Sequence, residues 1–398
     1  MIARRRQIAR TSAGFTLVEL VVATVVALAV IGAVLGMAAQ AQRAFQVQEQ
    51  QSDVQQRIRV AIESLQRDLL MAGAGTSAGP AFGPLNSAMA PVMPYRAFGA
   101  LPDQSQGVYF RRDVMSLAYV PSTPAQARLS NALPAGAVDV HITQEANCPA
   151  PTATRVCGLE AGSHVMVFDR DGHWDVFAVD GVGVASALLR HRGPPAVAYG
   201  AGAAISEVTL ATYYLKSDPA TGTSQLFRSD GWASDQPVVD DVVALLFEYF
   251  GEPRPPQIRV ISSGALSTSY GPAPPPIGEI RGVWPAGQNC TFTVVDGDHS
   301  TRLSMVTASD HGLVALTPAM LADGPWCPDD AAPNRFDADL LRVRRVRVTV
   351  RVQSSAAMFR GPAGVLFRKG GTSHASDQLI PDLEVQFDVA PRNLDLHR

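Results

Sequence analysis

The sequence places one carboxylate, that of Glu19, at the start of a long uncharged segment. The stretch from Ser12 to Leu20 reads SAGFTLVEL, and the 20 residues from 20 to 39 carry no charge. An ionisable side chain inside a membrane costs about 2.5 to 3.5 kcal/mol on insertion scales, and it therefore needs a partner. Glu19 is a candidate for charge pairing in or near a bilayer. The alternative is an isolated carboxylate at the membrane interface.

Four cysteines are the next residues with evident chemistry: Cys148, Cys157, Cys290 and Cys327. In an exported chain, cysteines are expected to form disulfides. The first two enclose eight residues, two of them proline, and the last two flank part of a Pro/Gly-rich insert, so sequential pairing is predicted. The spacing contains no C-x-x-C, which makes a four-thiolate metal site the weaker alternative. No metal site is predicted.

Motifs for catalysis are absent from the sequence. It contains no H-E-x-x-H, no G-x-S-x-G and no Walker loop. Ser373 and His374 are neighbours in a loop of small residues, and adjacent residues of this kind do not make a catalytic dyad. The acidic segments 169–175 and 296–300 offer oxygen ligands for Ca²⁺, but neither completes an EF-hand pattern, so ordinary turns are favoured. No catalytic residue and no cofactor are predicted.

The uncharged segment is long enough to cross a bilayer as a helix. Four arginines and no acidic residue precede it, at positions 4, 5, 6 and 10. Because basic residues stay on the cytoplasmic side, we expect a single-pass inner-membrane protein with a cytoplasmic N-terminus and a periplasmic head. Three interpretations fit: a signal peptide cut after Ala41, a plain anchor, or a segment processed at Gly14 and kept. The length of the segment and the presence of Glu19 disfavour the signal peptide.

The string GFTLVEL, from Gly14 to Leu20, resembles the type IV prepilin motif. The resemblance implies that residues 1–14 are a leader, which a prepilin peptidase removes by cutting after Gly14. It also implies that Phe15 becomes the N-methylated N-terminus and that the apolar helix is retained. In this family the carboxylate at the position of Glu19 is thought to pair with the N-terminal amine of a neighbouring subunit, which sets the register of assembly.

A polar segment with helical periodicity follows the apolar one. Its apolar residues mostly recur every three or four positions, at Phe45, Val54, Ile58, Ala61, Ile62, Leu65 and Leu69. Gly73 and Gly75 are expected to end the helix. The pattern predicts one helix over residues 15–72, about 87 Å long at 1.5 Å per residue. Residues 15–41 would cross the membrane, and residues 42–72 would be amphipathic and pack on the head.

The head, residues 73–398, is long enough for one elaborated domain or for two subdomains, and it has the pattern of a mostly antiparallel β structure. An Asp171-Gly172 turn lies between two apolar segments, and residues 209–229 repeat the arrangement with a longer loop. We therefore predict an α+β fold with long loop insertions, the main one rich in Pro and Gly at about 251–339. The segment RVRRVRVTVRV, residues 342–352, is predicted to be a half-buried strand with a solvated cationic outer face. The alternative for that face is an acidic partner.

The net charge of the chain and several sequence blocks after the apolar segment give information about function. Without the four arginines of the leader, 29 basic residues remain against 36 acidic ones, which gives −7 and no indication of a nucleic-acid surface. The blocks LQRDLLMAG, TYYL…SQLFRSDGW, VVDDVVALLFEYFG, VRVTVRV and VAPRNL resemble the PilW family of minor pilins. This implies a structural subunit that helps to initiate or cap a type IV pilus.

The partners implied by that resemblance are the prepilin peptidase, other minor pilins, the major pilin and the inner-membrane assembly platform. Once assembled, the protein would be part of an extracellular pilus. Two alternatives stay open. One is a minor pseudopilin of type II secretion, which belongs to the same superfamily. The other is a membrane-anchored envelope adhesin or enzyme whose insert carries the activity.

Overall fold

The structure, a computed structural model, combines one long α-helix with mostly antiparallel β-sheets, which confirms the predicted α+β class. It describes residues 14–76, 89–95, 111–144, 148–170, 173–192, 195, 197–218, 222–231, 234–253, 292–295, 298–301, 312–318, 321, 338–361, 366–368, 371–373 and 379–394. Of the predicted leader, only Gly14 falls within these ranges. Cys290, Cys327, His374 and the Asp171-Gly172 turn lie outside them.

The helix, α1 (Leu17–Met71), is 55 residues long, close to the predicted range. Thr16 caps its N-terminus in an extended conformation. After Met71 the chain turns through Gly73 and Gly75, whose φ angles of +79° and +65° suit glycine. Gly73 N–H donates to Ala118 O at 2.9 Å, which ties the end of the helix to the head. The predicted helix end is confirmed.

The two halves of α1 have different surroundings. Residues 14–46 are exposed along their whole length, whereas burial begins at Val54. The buried apolar stripe recurs every three or four positions, at Val54, Ile58, Ala61, Leu65 and Leu69. The second half is therefore held by the head, and the first half projects from it.

Seventeen strands lie in the described part of the chain. They are β1 (Val92–Pro94), β2 (Met115–Tyr119), β3 (Gln126–Leu129), β4 (Asp139–Thr143), β5 (His164–Phe168), β6 (Trp174–Gly183), β7 (Leu188–Arg192), β8 (Ala204–Glu207), β9 (Thr209–Asp218), β10 (Thr223–Ser229), β11 (Asp235–Asp240), β12 (Val242–Gly251), β13 (Phe292–Val295), β14 (Asp298–Thr301), β15 (Val314–Leu316), β16 (Val343–Val352) and β17 (Leu383–Val389). The hairpins predicted from the sequence are present as β5–β6 and β9–β10.

The strands form two open sheets, a hairpin and a closed barrel, and all their pairings are antiparallel. The first sheet has the order β1-β2-β9-β10-β11, and the second has the order β15-β12-β16-β17. The second half of α1 packs against β11 of the first sheet and against β16 and β17 of the second. One apolar core fills the space between the helix and the two sheets. β13 and β14 pair separately.

The barrel was not predicted from the sequence. It closes in the order β3-β4-β7-β6-β5-β8 and is inserted in the chain between β2 and β9, which pair directly with each other through Tyr119 and Thr209, so the first sheet stays continuous. It has an apolar core of its own, which includes Phe177, Leu189 and Ile205. Among the described residues, the head thus has two large apolar cores, one beside α1 and one inside the barrel.

Both long insertions leave the core at the same end. Ser354, which follows β16, donates to Gln50 Oε1 at 3.0 Å, whereas Asn393, which follows β17, donates to Leu70 O at 3.3 Å. These contacts are 20 helix residues apart, about 30 Å. β12 ends and β16 begins near Leu70 of the helix. The 251–339 insert therefore leaves the second sheet at that end. Val120, from which the barrel segment departs, bonds there to Ala74 O.

The disulfide between Cys148 and Cys157 is formed in the connection from β4 to β5, which confirms the first predicted pair. The half-cystine at 157 is buried in the barrel core beside Val156 and Leu159. The second predicted pair lies outside the described residues and stays a prediction. The bond therefore ties the exposed loop 150–155 to a segment of the barrel core.

Replacing Cys148 and Cys157 together by alanine is expected to lower the free energy of unfolding by about 2.5 kcal/mol, because the unfolded chain regains the freedom that a short closed loop removes. Denaturant unfolding of the full chain in detergent micelles measures the change.

Non-reducing peptide mapping of the wild type is expected to join Cys148 to Cys157 and Cys290 to Cys327. Free thiols at 148 and 157 in the exported protein would contradict the bond.

Candidate functional site

The predicted cleavage position lies in an exposed, non-helical segment. Gly14 and Phe15 precede the helix cap, and 86% of the Phe15 surface is exposed. Apart from Gly14 and its chain neighbours, no atom of the described residues lies within 4 Å of the place where a Cβ on Gly14 would stand. A peptide bond inside a helix is held by the helix hydrogen bonds, whereas this one is open to an enzyme that approaches the backbone closely.

Glu19 forms a capping box with Thr16. Its Oε2 atom accepts hydrogen bonds from the Thr16 N–H and from the Thr16 hydroxyl, each at 2.9 Å, and Thr16 Oγ1 accepts from the Glu19 N–H at 3.2 Å. The carboxylate thus satisfies donors at the positive end of the helix dipole. Sequence analysis looked for a partner in another subunit and missed this local one, although T-x-x-E is its signature. Both bonds use Oε2, and among the described residues Oε1 accepts no hydrogen bond.

Apolar side chains follow Glu19 along the projecting half of α1. They are exposed on all sides, and a shallow groove on one side is lined by Val18, Glu19, Val22, Ala23, Val26 and Ala27. In the described part of the chain, α1 is the one helix long and apolar enough to cross a membrane. A signal sequence near an N-terminus can also be apolar enough to meet this criterion. The described residues of the head do not cover this half of the helix, which therefore needs an apolar environment from elsewhere.

The second half of α1 carries a buried carboxylate, Asp68, which is 1% exposed. Tyr119 donates to its Oδ1 at 3.1 Å, and Tyr213 donates to its Oδ2 at 2.8 Å. Arg228 Nε donates to the same Oδ2 at 2.8 Å. The donors come from β2, β9 and β10, three adjacent strands of the first sheet. Asp68 and these donors are called the Asp68 clamp below.

The protonation states of the clamp support one another. Burial raises the pKa of Tyr119 and of Tyr213, and the charge of Asp68 raises both further. Burial acts to lower the pKa of Arg228, but the charge of Asp68 and the hydrogen bond to it outweigh burial, so this pKa is raised. Both phenols therefore keep their hydrogen and Arg228 keeps its charge near neutral pH.

A second polar contact fixes the middle of the amphipathic half. Asp241, in the left-handed conformation with φ +56°, joins β11 to β12. Its carboxylate accepts from Arg57 of α1 at 3.0 Å and from Arg360 at 3.2 Å. Arg57 also forms an ion pair with Asp53, one turn earlier. The corner between the two sheets is thereby attached to the helix.

Gln50 makes a third contact where the head begins. Its Oε1 atom accepts from the hydroxyls of Ser354 and Ser355, both at 3.0 Å, and from the Ala356 N–H at 3.4 Å. With the contacts at residues 57 and 68, polar side chains hold the helix at three levels. Together they prevent sliding or rotation of the helix in the head.

The outer face of β16 is not the solvated cationic face that the sequence predicts. Arg351 is completely buried. Its guanidinium lies 3.5 Å from Asp382 and 3.6 Å from Glu384, and it stacks on the Phe367 ring at 4.5 Å. The prediction failed here because the acids come from β17 and the segment before it, and the covering ring comes from 366–368, all distant in sequence.

The other end of this face is neutralised as well. Arg345 and Arg347 lie 4.4 and 4.9 Å from the centre of the Phe250 ring. Arg347 donates two hydrogen bonds to Asp388, at 2.7 and 3.1 Å, and these hold the pKa of that carboxyl below its usual range. The acidic partner weighed in the sequence analysis is therefore supplied by β17 of the same chain.

The polar groups considered for catalysis or metal binding have structural contacts. Ser373 donates to Asp382 at 2.6 Å. In the segment 169–175, Asp169 binds the His173 N–H and ring, whereas Asp175 accepts from the buried Tyr199 hydroxyl at 2.7 Å. Among the residues that the structure describes, no three His, Cys, Asp or Glu side chains are grouped as metal ligands.

The chain matches no protein-family model. No curated protein matches it either. Its function is therefore inferred from its own residues and contacts.

Asp68→Asn is expected to lower the free energy of unfolding by about 3 kcal/mol, because the buried carboxylate loses its charge and the half-buried Arg228 loses its charge partner. Denaturant unfolding of the full chain in detergent micelles measures this loss. Arg67→Gln is the matched control: Arg67 lies 3.6 Å from Asp68 but is 72% exposed, so its loss should cost less than about 0.5 kcal/mol. Equal effects of the two variants would contradict the importance of the clamp.

Proposed function

We propose that the protein is a minor pilin, a non-enzymatic subunit that helps to initiate or cap a type IV pilus. One observation carries the proposal: a single helix continues from an exposed apolar half, headed by the GFTLVE sequence, into a half that is built into a β head. A signal peptide has no use for such continuity, because the cut would fall within the helix. A retained helix suits both a membrane and a fibre.

The proposed sequence of events starts at the membrane. A prepilin peptidase removes residues 1–14, and the amine of Phe15 becomes the methylated N-terminus. The subunit waits in the inner membrane with its head in the periplasm, and the capping box keeps the Glu19 carboxylate satisfied. On assembly, Oε1 of Glu19 pairs with the Phe15 amine of a neighbouring subunit. The apolar halves of the helices then pack side by side on the assembly platform.

The three polar contacts between helix and head support a structural role. A subunit that transmits force between its helix and its head needs a fixed connection, and the contacts at residues 50, 57 and 68 supply one. The barrel and the 251–339 insert leave the core at the end away from the apolar half. In a pilus they would therefore face other subunits or the surroundings, and not the membrane.

Gly14→Val is expected to block maturation, because a β-branched side chain hinders the close approach that the peptidase needs. The uncleaved protein should be heavier by the leader of residues 1–14. Mass spectrometry of the membrane-bound protein measures this difference. A mature wild-type N-terminus at Gln42 would instead establish a signal peptide and refute the proposal.

Glu19→Ala separates processing from assembly. The segment becomes more apolar, so insertion and cleavage should survive, whereas assembly loses the charge pair. The measurement compares cleaved protein in membranes with protein recovered in sheared fibres. Glu19→Gln is the control that keeps capping hydrogen bonds without the charge, and it should fail in assembly too. Normal incorporation of either cleaved variant would refute a role in setting the register.

A further inference from the structure

Strand β17 is an edge strand without the usual protection. In the described part of the chain, four strands end the two open sheets, and β1 and β15 have only three residues each. The third, β11, contains Pro237 opposite a register shift. β17 has seven residues in regular register, with no proline, glycine or lysine. Edge strands are normally kept short, bulged, covered or charged with lysine, because their free backbone groups attract other strands.

The backbone alternation shows which groups of β17 face outwards. The Gln353 N–H donates to Asp241 O on the β12 side, so Val352 turns its own N–H and C=O towards β17, where it pairs with Leu383. This direction alternates from one residue to the next in an antiparallel ladder. The residues whose backbone groups face the open edge are Glu384, Gln386 and Asp388. None of these groups bonds to another described backbone group.

The side chains of β17 also show where an added strand would fit. Leu383, Val385 and Phe387 pack against the main core on the helix side, yet each remains partly exposed at the edge. Glu384 and Asp388 lie on the other side of the sheet, beside arginines of β16. A strand placed along this edge would cover the apolar row and meet two acids.

We propose that β17 accepts a strand from a different polypeptide, one that alternates apolar residues with arginine or lysine as β16 does. The charges argue against a second copy of this chain. Antiparallel pairing of two β17 strands centred on Gln386 places Glu384 opposite Asp388, and parallel pairing in register places each acid opposite itself. Like charges in directly opposed positions destabilise a pair of strands. This inference does not depend on the proposed function.

A synthetic peptide with the sequence VRVTVRV, residues 346–352, serves as the probe, because the same sequence already pairs with β17 in the fold. It is titrated against the full chain in detergent micelles. The matched variants are Gln386→Pro and Gln386→Ala. Both lose the hydrogen bond from the Gln386 side chain to Thr349, but only proline removes the outward N–H. The peptide is expected to bind wild type and Gln386→Ala alike, and Gln386→Pro about tenfold more weakly.

Hydrogen exchange should show that the peptide protects the amides of Glu384, Gln386 and Asp388. The same peptide with glutamate in place of its arginines should not bind. Equal binding to Gln386→Pro and Gln386→Ala, or no binding of the arginine peptide to wild type, would overturn the proposal. Concentration-dependent dimers of wild type that Gln386→Pro abolishes would assign the edge to a second copy and overturn it as well. Circular dichroism confirms that both variants remain folded.

Discussion

The attachment of the head to its helix depends on the buried carboxylate of Asp68. A buried charge without a partner is strongly unfavourable, whereas Asp68 has three donors from three adjacent strands. A shift of α1 by one residue would rotate its faces by about 100° and move the carboxylate off these donors. An apolar stripe alone tolerates small shifts of the helix, because contacts between apolar side chains have little directional preference. The Asp68 clamp therefore fixes one position of α1 along the first sheet. The remaining contacts between the helix and the head depend on that position.

The other polar contacts extend this constraint along the helix. Gln50 contacts the head near the start of the amphipathic half, Arg57 at its middle and Asp68 near its end. Between them the apolar stripe supplies burial without directional preference. From Leu17 to residue 46 the helix is exposed and presents apolar side chains on every side. The molecule thus joins a rigid half to a half whose only suitable surroundings are a membrane or other helices.

The two sheets and the barrel occupy different places in the head. The sheets enclose the helix, and their far end gives rise to both the barrel and the 251–339 insert. Within the second sheet, Arg345, Arg347 and Arg351 of β16 lie within 3.7 Å of acidic side chains of β17 or the segment before it, so this face is not a free cationic surface. What the sheet leaves open is the backbone of β17. Recognition of a partner there would come from strand pairing more than from charge alone.

The sequence alone determined the features that depend on neighbours along the chain. These are the helix and its end at Gly73, the uncharged segment with Glu19, the two hairpins and the pairing of Cys148 with Cys157. Periodicity, turn residues and short spacings are local, so they can be recognised without the fold. The Asp68 clamp left only a partial signal: a carboxylate on the apolar stripe, three residues after Leu65.

The tertiary structure decided everything that joins distant residues. Asp68 and Arg228 are 160 positions apart, and the sequence carries no mark that pairs them. Closure of the barrel depends on β3 meeting β8, and burial of Arg351 depends on acids and a ring brought from later segments. A strand pattern records only which side chains alternate, and not which strand lies beside it. For that reason the face that the sequence predicts to be solvated and cationic is neutralised in the fold, and the closed barrel was not predicted.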